Sequence, residues 1–207
     1  MTSGRMPTSI IVVDDFLEDP VAFRDAALKL TYPPQEGSFP GRNSLERLPL
    51  DGLAEYVSHI VGEPLALMTP PQSHGKCRIT LAADKGKAKV HTDPSHWSGV
   101  LYLSRPEDCR GGTDFYRHIP TNTDRRPLNH DELAAMGYDS IEAMHRDIIE
   151  KDTNDDSKWE LTMSVPMRFN RLVLLRPWLW HTAGNGFGDT LENGRLVHLM
   201  FFGAGRR

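Results

Sequence analysis

The sequence predicts a mainly β protein of the α+β class, in which a few helices pack on an antiparallel β-sandwich or barrel. Two observations carry this prediction. From residue 78 onwards, short strand-like runs alternate with Gly, Pro, Asp and Ser at the spacing typical of antiparallel sheets. Before them, apolar residues recur every three or four positions, which is the pattern of helices that lay one face on a core.

The composition is that of an ordinary globular protein. The 207 residues are 39% hydrophobic and 25% charged, so we expect one domain, 1–207. The net charge of −4 and the lack of a long Lys/Arg run predict no nucleic-acid partner. No apolar stretch approaches the ~20 residues of a membrane span, and no signal-peptide pattern is present. Because the chain has only two cysteines, we expect a reducing, cytoplasmic location.

Residues 1–70 are predicted to form a helical lead-in. A β-branched run at 10–13 favours a strand. The pair Asp19-Pro20 predicts a helix start, since Asp is a good N-cap and proline suits the first helical position. A second helix is expected over 50–61, and the Pro- and Gly-rich stretch 33–47 is expected to be an ordered loop.

The strands are predicted to lie in two blocks, 71–116 and 166–203, which would form the sandwich core. The individual runs are 78–82, 88–91, 99–104, 113–116, 171–176, 179–183 and 195–202. Between the blocks, the polar stretch 117–165 carries two predicted helices, 130–136 and 140–151. We expect this insert to pack weakly and to act as a lid, with arginines for an anionic substrate group at 125, 126 and 146.

Three residues suggest a metal site. His91 and Asp93 follow a strand-like run, and residues i and i+2 of a strand face the same side. His181 ends an apolar run some ninety residues later. Two histidines and one carboxylate can occupy one face of an octahedral metal and leave three positions open, which suits ferrous iron. The alternative is that these histidines are ordinary packed or surface residues, because a short His-x-Asp sequence is common by chance.

Arg195 opens the apolar strand that follows His181. A buried guanidinium must reach the surface or find an anion, because an unpaired buried charge is costly. Its fork of donors matches a carboxylate in a bidentate way. A solvated position at the strand edge is the alternative.

Taken together, these residues resemble the iron(II)- and 2-oxoglutarate-dependent dioxygenases, near the prolyl-hydroxylase-like branch and its small bacterial members of unassigned function. The resemblance rests on the segment from His91 to Ser104, on the Gly-Gly-Thr-Asp-Phe-Tyr run ending at Tyr116, and on His181 and Arg195. It implies a double-stranded β-helix, the cupin-like jelly roll. It also implies that His91, Asp93 and His181 hold iron(II), and that Arg195 binds the C5 carboxylate of 2-oxoglutarate.

The resemblance leaves the second co-substrate contact open, because Val197 stands where many relatives have serine. The candidates are Tyr102, Thr80 and Arg78. Trp97 and Arg78 are the candidates for substrate contact. Related halogenases lack the metal-binding carboxylate, so the presence of Asp93 implies hydroxylation rather than halogenation.

The expected reaction uses O2 and hydroxylates an unactivated C–H bond of an amino acid, peptidyl or small biosynthetic substrate, with release of succinate and CO2. A homodimer remains open. One rival is a metal-dependent hydrolase, with zinc held by His91, Asp93 and His96. Another is a cupin-like binding protein without turnover. Two further expectations concern surface residues: His118 is predicted to be solvated and Arg176 to pair with a surface acid.

Overall fold

The computed structural model describes residues 8–34, 37 and 39–206, and its strands form two antiparallel sheets. In chain order the strands are β1 (Ile10–Val13), β2 (Arg42–Asn43), β3 (Leu65–Leu67), β4 (Cys77–Thr80), β5 (Trp97–Tyr102), β6 (Gly112–His118), β7 (Trp159–Pro166), β8 (Leu172–Leu175), β9 (His181–Thr182) and β10 (Arg195–Ala204). The larger sheet has the order β1-β8-β5-β10-β4-β2, and β3 pairs with the far end of β10. The smaller sheet has the order β7-β6-β9. This arrangement confirms the predicted mainly β class.

Two helices of the lead-in pack on one face of the larger sheet. Helix α1 (Pro20–Leu28) begins as predicted, because the Asp19 side chain accepts a hydrogen bond from the backbone N–H of Ala22 at 2.9 Å. Helix α2 (Leu53–Val61) ends at Gly62, whose positive φ of 69° suits glycine. Together with the sheet they enclose the main hydrophobic core. No helix in the described part of the chain is both long and apolar enough to span a bilayer.

Alternation along β10 separates this core from the interior of the sandwich. Leu196, Met200 and Phe202 are fully buried in the core that contains the helices. Arg195 and Val197, with Leu199 and Phe201, instead line a cavity on the opposite face of the sheet. Strand β10 therefore packs into the main hydrophobic core with one face and lines the candidate site with the other.

The insert differs from its predicted bounds of 117–165. Strand β7 was not predicted, and it pairs with β6 along its whole length, from Gly112 opposite Pro166 to His118 opposite Trp159. The inserted part is therefore 119–158. Residues 160–164 are all exposed. The strand therefore lacks the alternation of buried apolar and exposed polar residues by which a strand is recognised in a sequence.

The insert is also better packed than expected. It contains α3 (His130–Ala135) and α4 (Ile141–Met144), which continues as a π-helix over His145–Glu150. Leu133, Met144 and Ile148 form a hydrophobic cluster with Trp159 and Trp180, separate from the main core. None of the arginines at 125, 126 and 146 is among the described residues that line the cavity. The expected weak packing is therefore wrong, and of the described insert residues only Asn154 lines the cavity, not the three arginines. A lid role for the insert stays a prediction.

Candidate metal centre

His91 and His181 are brought together by a single antiparallel bridge. The His91 backbone N–H donates to the His181 carbonyl at 2.9 Å, and the reverse bond is 3.1 Å. His181 belongs to β9, whereas His91 lies outside any regular strand, so the predicted strand over 88–91 is wrong. The two imidazole ring centroids are 4.4 Å apart.

Both imidazoles present the same nitrogen to the site. Nδ1 of His91 lies 3.0 Å from the Lys89 carbonyl oxygen, and Nδ1 of His181 lies 2.8 Å from that of Leu179. A carbonyl oxygen only accepts hydrogen bonds, so each Nδ1 carries the proton and donates it. Each Nε2 therefore keeps a free lone pair, and a carbonyl partner of this kind is what orients metal-binding histidines.

Asp93 completes the group. Its carboxylate oxygens lie 3.8 Å from Nε2 of His91 and 3.5 Å from Nε2 of His181. All three potential ligand atoms lie within 4.8 Å of one another. The Ser98 hydroxyl donates to the carboxylate at 2.8 Å, and the Asp93 backbone N–H donates to the Pro177 carbonyl at 3.0 Å. These bonds fix both the backbone and the side chain of Asp93.

The protonation states at neutral pH suit a metal. Burial raises the pKa of Asp93, but the neighbouring His181 and His91 and the Ser98 hydroxyl outweigh it, and the pKa falls to about 2. Burial and the nearby His181 lower the pKa of His91 to about 4. The carboxylate is therefore ionised and the His91 ring neutral, which are the forms that bind metals. Two imidazoles and one carboxylate on one side of a site are the donor set of non-haem iron(II) centres.

The three residues line a cavity of about 610 Å³ that also contains Arg195. Arg195 is only 1% exposed, and its guanidinium lies over the Tyr102 ring with the central carbon 5.8 Å from the ring centroid. Its Nε and Nη2 are buried, and neither has a hydrogen-bond partner among the described residues. Buried polar groups are almost always paired. This donor fork therefore fits an anionic ligand that enters the cavity.

The other co-substrate candidates lie around Arg195. Thr80 is its partner in the register between β4 and β10, and it lines the cavity. Tyr102 packs against Arg195, but its hydroxyl is bonded to the Thr113 hydroxyl at 2.7 Å. Arg78 is opposite Val197 in the same register and also lines the cavity.

The expectation for Trp97 needs correction. Its side chain is fully buried in the core beneath the helices, so it cannot wall the cavity. Arg176 is only 7% exposed, and its central guanidinium carbon lies 4.3 Å from the centroid of the Trp97 ring. Its predicted pairing with an acid near the surface is found, although Arg176 itself is buried. Arg176 forms an ion pair with Glu63, which also contacts Nε2 of His96 at 2.9 Å. His96 is thus engaged elsewhere, and the alternative zinc site built on it is not supported.

His118 also differs from expectation. It is 1% exposed, and its ring bonds Asp152 at 3.1 Å and Thr121 at 2.9 Å.

Sequence reasoning missed two residues at the metal centre. Ser98 follows Asp93 by five positions and carries no motif, and Phe39, whose ring centroid is 4.1 Å from that of His91, comes from a loop without periodicity.

Comparisons with known proteins support the fold. HygX from Streptomyces hygroscopicus, solved with nickel and 2-oxoglutarate bound, is 17% identical with a TM-score of 0.56, covering 96% of this chain and 84% of that chain. HygX with iron bound is 15% identical with a TM-score of 0.50, and the match covers 96% of this chain and 83% of that chain. SnoK, a non-heme alpha ketoglutarate dependent carbocyclase from nogalamycin biosynthesis, is 14% identical with a TM-score of 0.53, covering 95% and 79%.

These likenesses confirm the predicted fold, the double-stranded β-helix or jelly roll of 2-oxoglutarate oxygenases. Comparison of the sequence with curated proteins gives no match. A family model described as a family of unknown function, DUF6445, matches residues 1–202.

Proposed function

The chain belongs to the family of unknown function DUF6445, and we propose that it is an iron(II)- and 2-oxoglutarate-dependent oxygenase. One observation carries the proposal: a buried arginine without a partner among the described residues shares a cavity with a His-Asp-His donor set. The donor set can bind the metal. The arginine can bind the distal carboxylate of a dicarboxylate co-substrate. A metal-dependent hydrolase needs no such co-substrate.

The residues have distinct roles in this proposal. His91 and His181 hold the iron through Nε2, because their Nδ1 protons are committed to backbone carbonyls. Asp93 supplies a carboxylate oxygen and is held ready by Ser98. When bound, iron(II) with 2-oxoglutarate and O2 supplies the oxidising chemistry that places one oxygen atom in a C–H bond and the other in succinate, with loss of CO2.

Arg195 binds and orients the co-substrate. A guanidinium pairs with a carboxylate through two parallel hydrogen bonds, and Nε and Nη2 are the two donors that lack partners. Thr80 lies beside Arg195 in the sheet and is the second contact that we favour, because the Tyr102 hydroxyl is already bonded to Thr113. Because Arg195 is buried, water is excluded from its ion pair with the carboxylate of 2-oxoglutarate. The attraction is therefore stronger than that of an ion pair at the surface.

Hydroxylation is the outcome that we propose, on a small-molecule or peptidyl substrate in the cytoplasm. Asp93 supports it, since its carboxylate occupies the position that a halide would need. Ring closure, the reaction named for SnoK, is the competing oxidation. Product mass separates the two, because hydroxylation adds one oxygen atom and ring closure removes two hydrogen atoms.

The proposal is tested by reconstituting the protein with iron(II) without oxygen, then adding 2-oxoglutarate, a panel of amino acids as candidate substrates, and O2, and measuring succinate. We expect succinate that depends on iron, and we expect His91→Ala to abolish both metal binding and succinate. His130→Ala, which changes an exposed histidine of the insert, is the matched control and should behave like the wild type. Tight 2-oxoglutarate binding without succinate would identify a binding protein. Succinate formation that survives His91→Ala would refute the proposed centre.

A further inference from the structure

The cavity contains a second guanidinium that forms no ion pair with a described residue, although the charge of Asp93 acts on it from a distance. Arg78 and Thr80 lie two residues apart on β4 and face the same side, so Arg78 lines the cavity alongside Arg195. The Arg78 Nε is buried without a hydrogen-bond partner, and no ion pair joins Arg78 to any residue that the structure describes. Burial and the charge of Arg195 lower the pKa of Arg78 to about 10, so it still carries its positive charge at neutral pH.

The other charged side chains at the cavity wall are already paired. Asp84 lies 3.6 Å from Arg42, and Lys89 forms an ion pair with Asp156. Among the described residues, the charges left to balance inside the cavity are therefore Arg78, Arg195 and Asp93.

These charges can be added to those that the proposed function brings. Iron(II) carries two positive charges, which Asp93 and the keto-acid carboxylate of 2-oxoglutarate balance. The distal carboxylate of 2-oxoglutarate balances Arg195. One positive charge remains, on Arg78, and an uncompensated charge in a partly desolvated site is costly. Counted over the residues that the structure describes, the loaded cavity is thus complementary to a ligand with one negative charge.

Resting on the proposed function, we propose that Arg78 is the receptor for a carboxylate of the substrate, and that the substrate is a small acid with a single negative charge. A guanidinium also fits phosphate, but a phosphate monoester carries about −1.5 to −2 charges at neutral pH and would overshoot the balance. A neutral sugar or an uncharged peptidyl side chain would leave Arg78 unpaired.

The position of Phe39 supports this assignment. Its ring centroid lies 4.1 Å from that of His91 and 5.9 Å from the central guanidinium carbon of Arg78. One aromatic wall therefore spans from the metal ligand to the proposed receptor. An acid held by Arg78 would lay its apolar part along this wall and so next to the metal centre.

The test uses the nickel-loaded protein with saturating 2-oxoglutarate, which keeps Arg195 occupied. Benzoate and benzamide are the probes, because they share a shape and differ by one charge, and their binding is measured by calorimetry. We expect benzoate to bind at least tenfold more tightly than benzamide. Arg78→Gln should abolish this preference, Arg78→Lys should keep part of it, and Lys89→Gln should keep all of it, since Lys89 is already paired.

The 2-oxoglutarate affinity of each variant is measured first. If 2-oxoglutarate does not bind the wild type, the proposed function fails, and the charge balance behind this inference fails with it. If 2-oxoglutarate binds but the wild type does not prefer benzoate, or Arg78→Gln keeps the preference, only the assignment of Arg78 is overturned. A large loss of 2-oxoglutarate affinity in Arg78→Gln would instead assign Arg78 to the co-substrate. If Arg78→Gln does not fold, the assignment of Arg78 is tested by two results. The wild type must prefer benzoate over benzamide, and Arg78→Lys must show a smaller preference.

Discussion

Replacing Arg195 by alanine is the sharpest test of how the co-substrate is held. Arg195 is 1% exposed, so an ion pair formed there is little screened by water or salt. Truncating one partner of such a buried, hydrogen-bonded pair costs on the order of 2–5 kcal/mol. At about 1.4 kcal/mol for each factor of ten, Arg195→Ala should weaken 2-oxoglutarate binding by about 30-fold to 4,000-fold.

The assay is calorimetric titration of 2-oxoglutarate into the nickel-loaded protein, with nickel affinity measured separately. Nickel affinity should change little, because the potential metal ligands are His91, Asp93 and His181 and a protonated guanidinium has no lone pair to offer a metal. Arg195→Lys should be intermediate, since it keeps the charge but loses the two-donor fork. Arg168→Ala is the control, because Arg168 is an exposed arginine already paired with Asp14 at 2.8 Å. A loss of less than threefold in Arg195→Ala would refute the assignment.

Three further predictions concern the support of the site. Ser98→Ala removes a hydrogen bond to the Asp93 carboxylate and should weaken nickel binding about tenfold in a competition titration, whereas unchanged affinity would show that the bond is dispensable. Thr153→Val removes a hydroxyl that bonds the backbone just before His91, and should lower the free energy of unfolding by about 1–3 kcal/mol in urea. Burial lowers the pKa of His198 from 6.5 to about 4. Between pH 6.5 and about pH 4, the His198 ring is therefore protonated in the unfolded chain and neutral in the folded protein. The metal-free protein should therefore lose about 2 kcal/mol of stability from this residue between pH 7 and pH 5, and His198→Gln should remove that share.

Local signals predicted the starts of α1 and α4 well. Asp19 caps α1, as its residue type indicated, and Ser140, where the second insert helix was predicted to begin, caps α4. Such signals are local because a cap bonds backbone only two or three positions away. The strand β10 was also predicted from its apolar run, whereas its division into a core face and a cavity face appears only in the structure. Strand β7 was missed because neither of its faces is consistently buried.

The sequence by itself determined the residue types of the site and the fold that carries them. It supplied His91, Asp93, His181 and Arg195 in an order that resembles one oxygenase superfamily, and that resemblance implied the jelly roll, whereas the strand spacing indicated only an antiparallel sandwich or barrel. Bonding to near neighbours and apolar periodicity are properties of short segments, so they can be recognised without coordinates.

Only the tertiary structure decided which side chains meet. A backbone bridge joins His91 to His181 across ninety residues, and two local carbonyls set the orientation of their rings. The same packing leaves Arg78 unpaired among the described residues at the cavity wall, while it places Trp97 in the core. Contacts between distant segments depend on the register and twist of whole sheets, and no residue pattern within a few positions of each partner encodes them.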